Sequence, residues 1–188
     1  MPLSEGWRNQ YDRMQRSRAR LAEAAGPSSI GSDEARDRLY HFFQDAFHLK
    51  DWIINDLGWS KMQGSKKKLT QEGQDLEDHI TATAPLARCA DICNGTKHLK
   101  LTSPRIKGKP SELTGQNVGL ALPPFEIAWE FPGSAERARE QREAEEQSAV
   151  QATYSWVVTW DGQPGDAIDL ADQVIDAWKG WVNSQGLL

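Results

Sequence analysis

The stretch DEARDRLYHFFQDAFHLKDWIINDL, residues 33–57, decides the fold of this chain. Its apolar residues recur every three or four positions, the spacing that gathers side chains on one face of an α-helix. They are Leu39, Phe42, Phe43, Ala46, Leu49, Ile53 and Leu57. Ser32 and Asp33 can cap the first turn, and Gly58 can end the last one. The stretch therefore predicts one long amphipathic helix whose apolar face other elements must cover.

Helical patterns on both sides of this stretch supply those elements. Residues 1–25 predict an N-terminal helix, and residues 166–183 predict a closing helix with an apolar side rich in Trp, Val and Ile. Residues 70–101 are also helical in pattern, but Pro85 interrupts them, because the residue before a proline disfavours helical geometry. This segment is either one kinked helix or two helices joined near Thr83.

Between residues 117 and 160 the period changes from helical spacing to strict alternation, which predicts half-buried strands. The alternating runs lie at 118–122, 125–131 and 150–160, and a charge-dense excursion at 134–148 separates the last two. The segments 60–68 and 102–116 are polar and predict loops. A two-stranded hairpin alone is marginally stable, so its Trp-rich face should pack on the helices.

The predicted fold class is therefore mainly α. We expect a single domain over residues 1–188: a four- or five-helix bundle with its helical core at 33–101, and a small antiparallel β-hairpin or sheet inserted at 117–160, before the C-terminal helix.

Composition limits the classes of protein. The chain has 188 residues and a formal net charge of −5, so nucleic-acid binding would need a local basic patch. No apolar run approaches the roughly 18 residues of a membrane helix, and no secretory signal is visible. We therefore expect a cytoplasmic protein without membrane contact. The two cysteines, Cys89 and Cys93, are expected to be buried small apolar residues.

Two polar stripes interrupt the predicted apolar faces. On the long helix, His48 and Asp51 lie within one turn of each other, and on the later helix Asp91, Asn94 and His98 share a face at spacings of three and seven. Buried polar groups are costly unless they satisfy one another. We therefore expect the two stripes to meet inside the bundle.

Three interpretations of this meeting stay open. The stripes can form a hydrogen-bonded network that fixes helix register. Alternatively, His98 can act as a general acid or base beside His48 or Lys97, since histidine titrates near neutral pH. The third is a metal site built from His48, Asp51, Asp91 and His98, although the paired Glu-x-x-His motifs of helical-bundle metal sites are missing. Of these interpretations, we prefer those in which the site holds no cofactor and no metal ion.

The segment DICNGTKH, residues 91–98, resembles a helix of HEPN-like domains, in which an arginine is followed by a polar residue and then by a histidine. Asn94 and His98 match the polar and histidine positions, and Cys93 stands at the arginine position. The resemblance implies a helical bundle, homodimerisation across this helix and metal-independent ribonuclease activity in toxin–antitoxin or anti-phage defence systems. The family's arginine holds the scissile phosphate, a task for which Lys97 would offer only a point charge.

A basic run begins at the same place and suggests an RNA partner. It consists of Lys97, Lys100, Arg105, Lys107 and Lys109, with no acidic residue among them. We expect an HEPN-like protein of a bacterial or phage system that binds RNA or a protein partner. As a ribonuclease it would use His98 as the acid or base. Asn94 and Lys97 would then position the phosphate, and His48 and Asp51 would orient the site. The alternative is a non-catalytic accessory or interaction protein, in which His48, Asp51, Asn94 and His98 are structural.

Overall fold

A computed structural model of the chain describes residues 5–63, 65–97, 111–121 and 151–187. The described part is mainly helical, with five helices and a small antiparallel sheet before the C-terminal helix, which confirms the predicted fold class. The helices are α1 (Trp7–Ala25), α2 (Ser32–Asp56), α3 (Gln71–Ala82), α4 (Ala84–Lys97) and α5 (Ala167–Ser184). The strands are β1 (Ser60–Gln63), β2 (Lys66–Leu69), β3 (Glu112–Ala121), β4 (Gln151–Trp160) and β5 (Gln163–Asp166).

Helix α2 lies at the centre of the core, as its pattern predicts. Six of its seven predicted apolar positions have no exposed surface, and Leu57, just past the end of the helix, is partly buried. Gly58, with φ of 68°, adopts the left-handed conformation that commonly follows the end of a helix. Helix α1 packs against it through polar as well as apolar contacts: the Ser17 hydroxyl donates to Asp45 Oδ2 at 2.5 Å, and Gln10 Nε2 donates to the Asp45 carbonyl at 2.9 Å. These bonds fix the register of the two helices.

Residues 71–97 form two helices joined at Thr83, which is the second of the two alternatives that Pro85 left open. Their contacts with α2 run in reverse order. Lys50 of α2 bonds Glu77 of α3 at 2.7 Å, whereas Cys89 of α4 donates its Sγ–H to the carbonyl of Phe43. As the chain advances through α3 and α4, its contacts on α2 therefore move toward the start of α2.

The main sheet has the order β3–β4–β5, with both neighbouring pairs antiparallel. Alternate residues of β4, Ala152 to Val158, are buried against the helices, which confirms the predicted strand. Asp161 and Gly162 have φ of 50° and 76°, the positive values that a tight two-residue β-turn requires. Ser28 and Ala152 exchange two backbone hydrogen bonds, so the α1–α2 connection is tied directly to the sheet.

Three local predictions were wrong. Residues 60–68, predicted as a loop, contain the antiparallel hairpin β1–β2, and β3 begins at Glu112, inside the predicted loop 102–116. Strand β5, Gln163–Asp166, lies beyond residue 160, where the predicted β insertion ends. In each case the segment lacks the alternating apolar residues of a half-buried strand and is held by ladder hydrogen bonds to its neighbour. The predicted strand at 125–131 and the excursion at 134–148 lie outside the described residues.

Gly73 and Gly180 give a matched test of how α3 meets the hairpin. A Cβ on Gly73 would lie 2.5 Å from the carbonyl oxygen of Trp59, whereas one on Gly180 of α5 would meet nothing within 4 Å. Gly73→Ala should therefore lower the free energy of unfolding by about 1–3 kcal/mol despite the better helix propensity of alanine. Gly180→Ala should raise it by up to about 1 kcal/mol. Urea unfolding of both variants checks this, and equal gains in stability would contradict the tight contact.

Candidate functional site

The predicted site residues of α2 lie on its partly exposed side. His48 is partly buried, with its ring centroid 6.2 Å from that of Phe47. Asp51 is exposed, and its Oδ1 accepts a hydrogen bond from Lys50 Nζ at 2.8 Å. The same ammonium, which is almost buried, bonds Glu77 of α3. Asp51 therefore belongs to an ion-pair group that joins α2 to α3.

The predicted residues of α4 divide into buried and partly buried positions. Asp91 has no exposed surface, and its Oδ2 accepts the backbone N–H of Ser111 at 3.4 Å. Asn94 is partly buried, and Lys97 is the last residue of the helix. The remaining predicted residues lie outside the described part of the chain: His98, Lys100, Arg105, Lys107 and Lys109.

The described contacts between α2 and α4 lie away from His48. Cys89 of α4 lies beside Phe43, in the first half of α2, while His48 lies in its second half. Within the described ranges no hydrogen bond joins His48 to Asn94, and no group of three or more His, Cys, Asp or Glu side chains could hold a metal ion. The pairing of His48 with His98 stays a prediction.

The hairpin β1–β2 presents a second candidate surface, one that sequence patterns did not identify. Lys61 pairs with Lys68 and Gln63 pairs with Lys66 across the antiparallel ladder. Directly opposite residues of such a pair lie on the same face of the ladder. Lys61, Lys66 and Lys68 therefore share one face of the hairpin, hereafter the lysine face, and all three are exposed.

The other face of the hairpin contacts the helices through two of its residues, whereas its Met62 side chain is 69% exposed. It carries the pairs Ser60–Leu69 and Met62–Lys67. Leu69 packs against the hydrophobic core, and Lys67 Nζ donates to Asn55 Oδ1 of α2. Since this face contacts the body of the protein, the lysine face is directed outward.

The charges of the lysine face are only weakly compensated. In the described part of the chain, none of its three lysines has a carboxylate within ion-pair distance. The charge of Lys61 acts on the carboxylate of Glu72. The pKa of Glu72 is lowered by a hydrogen bond from the Thr70 side chain, by its own backbone N–H and, to a smaller extent, by the charge of Lys61. The lysine face is thus a local positive patch on a chain of net charge −5.

A cavity of about 370 Å³ lies where the start of α1 meets the end of α2. It is lined by Glu5, Asp51, Trp52, Asn55 and Asp56. Its three carboxylates already have partners, namely Arg13 for Glu5, Lys50 for Asp51 and the backbone N–H of Trp7 for Asp56. The Trp7–Asp56 bond joins the two helices, and each of the three described carboxylates that line the cavity is engaged.

His79 of α3 was not among the predicted site residues. Its ring centroid lies 6.2 Å from that of Trp181, and its Nε2 lies 3.3 Å from the hydroxyl of Thr83 at the α3–α4 junction. Burial lowers the pKa of His79, because the charged imidazolium is disfavoured away from water. The contacts give His79 a structural role between α3, α4 and α5.

Comparison with protein-family models, with curated proteins and with solved structures found no match for this chain. Among the described residues, no helix is both long enough and apolar enough to cross a bilayer.

The lowered pKa of His79 predicts how stability depends on pH. The unfolded chain binds the proton near the ordinary histidine pKa of about 6.5, and the folded protein binds it only at lower pH. The neutral His79 therefore favours the folded state fully above about pH 6.5, and this stabilisation is lost as the pH falls toward the pKa of the folded protein. His79→Gln should therefore lose less melting temperature than the wild type between about pH 7.5 and about pH 5.

Thermal melts at both pH values measure this difference. His41→Gln, at an exposed position of α2, supplies the matched control for the loss of an imidazole. An unchanged dependence in His79→Gln would show that burial of this imidazole has no part in it.

Proposed function

We propose that this protein binds RNA through the lysine face of the β1–β2 hairpin, by contacts with phosphates and without reading base sequence. The single observation that carries the proposal is the outward alignment of Lys61, Lys66 and Lys68, none of which has a carboxylate partner in the described chain. Lysine ammonium groups neutralise phosphates as point charges, which is the dominant and sequence-independent part of nucleic-acid affinity.

The energetics of the hairpin support a binding role. Lys61 and Lys68 lie directly opposite each other, and like charges in that arrangement destabilise a ladder. Two short strands without a large apolar face are also marginal. The hairpin is nevertheless anchored, through Leu69 on the core and Lys67 on Asn55. A polyanion on the lysine face would relieve the repulsion that the fold tolerates.

The composition of the hairpin supports recognition of the backbone rather than of the bases. Residues 60–69 contain no aromatic side chain on which a base could stack, and no arginine that could bind a guanine edge. RNA rather than DNA is the expectation from the HEPN resemblance. The proposed homodimer follows from that resemblance alone.

Buried or engaged side chains beside the predicted catalytic residues favour binding without cleavage. Cys93, which stands where HEPN-like domains carry the phosphate-holding arginine, is only 2% exposed. Asp51 is engaged by Lys50, and the fully enclosed Asp91 accepts the Ser111 N–H. These observations support the accessory-protein alternative over the ribonuclease.

Neutralising the lysine face should weaken RNA binding. The triple variant Lys61→Gln, Lys66→Gln, Lys68→Gln should bind a single-stranded RNA of mixed sequence about tenfold or more weakly at about 0.1 M salt. The slope of log affinity against log salt should become shallower by about 2, because each phosphate contact contributes about 0.7. Fluorescence anisotropy over a salt series measures both quantities.

A second triple variant removes the same charge elsewhere. Arg16, Arg20 and Lys179 are exposed on α1 and α5, and their replacement by glutamine should change the salt slope little. Equal losses in the two variants would mean that only net charge matters and would overturn the proposed surface. A DNA strand of the same sequence in parallel shows whether the protein prefers RNA.

The ribonuclease hypothesis has its own test. Wild type and His98→Ala are incubated with mixed RNA in the presence of a chelator, and RNA length is followed on a denaturing gel. We expect intact RNA with both proteins, because the arginine position is a buried cysteine. Cleavage by the wild type that is lost in His98→Ala would instead establish His98 as a catalytic acid or base.

A further inference from the structure

Arg88 differs from the other partly buried arginines of the described chain. The other three have carboxylate partners: Arg13 pairs with Glu5, Arg18 with Asp172, and Arg38 with Glu23 and Glu34. Arg88 of α4 has neither an ion pair nor a hydrogen bond within the described ranges, and its Nε is fully enclosed without an acceptor. An enclosed charged donor that lacks an acceptor lowers the stability of the folded protein, and such groups are rare in native structures.

The guanidinium of Arg88 is held in a defined place. Its Cζ lies 4.2 Å from the centroid of the Trp160 ring, at the end of β4. A guanidinium stacked on an aromatic ring keeps its donors in the ring's neighbourhood and loses little further freedom when it binds a ligand. The side chain as a whole is only partly buried, which leaves part of it open to solvent.

A second unsatisfied group directly precedes strand β3. The hydroxyl of Ser111 is enclosed and has no hydrogen-bond partner, and the residue is 2% exposed. Glu112 pairs with Thr159, so one further step of the antiparallel register sets Ser111 next to Trp160. Asp91, one turn along α4 from Arg88, has partners of its own, among them the Ser111 N–H, and forms no ion pair with Arg88.

We propose that Arg88 and Ser111 form a binding site for an oxyanion, the carboxylate or phosphate group of a small ligand. Both side chains can donate, and an oxyanion supplies the acceptors that each lacks. The planar fork of the guanidinium suits the paired oxygens of either group. Both ligand groups share this chemistry, and the two probes of the test distinguish them.

This site is separate from the lysine face. Trp160 packs over Gly165, two residues before α5 begins, whereas the ring of Trp181 near the end of α5 lies 6.2 Å from that of Trp59 at the base of the hairpin. From Ala167 to Trp181 the helix rises about 20 Å, at 1.5 Å per residue. The proposal therefore stands or falls independently of RNA binding.

Side-chain NMR of the arginine Nε–Hε groups tests the site directly. Inorganic phosphate and acetate are titrated separately at constant ionic strength, with the Arg88 signal assigned by its loss in Arg88→Lys. We expect the Arg88 signal to shift saturably with one of the two anions. The Nε of Arg18, which already donates to Asp172 Oδ1 at 2.7 Å, should not shift.

Two variants complete the test, with binding followed by calorimetry. Arg88→Lys keeps the charge and removes the fork, so it should bind the preferred anion about tenfold more weakly. Ser111→Ala should also weaken it, and supplies a result even where the lysine variant is poorly folded. Shifts that stay linear with both anions, equal shifts at Arg18, or unchanged affinity in both variants would overturn the proposal. An internal water would then be the partner of these two groups.

Discussion

The apolar face of α2 has to be covered along its full length, and the arrangement of the other elements follows from this constraint. Nine of its residues are buried or nearly so, including Phe42, Phe43 and Ile53. Removal of this surface from water is the main favourable term available to a domain of this size. Helix α1 packs along α2, helices α3 and α4 return along it, and β4 and α5 complete the enclosure with Trp156 and Trp178.

Polar groups beside this face take part in holding the helices together. Asp45 receives the Ser17 hydroxyl from α1, and Lys50 reaches Glu77 on α3. Such groups are costly to enclose unless their partners are present, which is why each has one. The same rule explains why two residues of the predicted polar stripes, Asp51 and Asp91, have structural contacts.

Against this background the charges without partners stand out. The lysine face of the hairpin repels itself, and Arg88 keeps an enclosed Nε with no acceptor. Neither arrangement stabilises the folded chain, since like charges and unsatisfied donors both oppose folding. The two proposed binding surfaces, one for RNA phosphates and one for a small oxyanion, rest on these exceptions, and they lie near opposite ends of α5.

Periodicity in the sequence determined the long helices and strand β4, and which face of each is apolar. It was sufficient for α2, α5 and β4, because long regular patterns of burial leave few alternatives. Only the tertiary structure decided which faces meet. Helix α3 contacts α2 at Lys50 and helix α4 contacts it at Phe43, and no local pattern encodes that direction. The lysine-rich hairpin was hidden for the same reason: its strands are stabilised by each other's backbone and by anchoring on Asn55 and the core, not by an alternating pattern of their own.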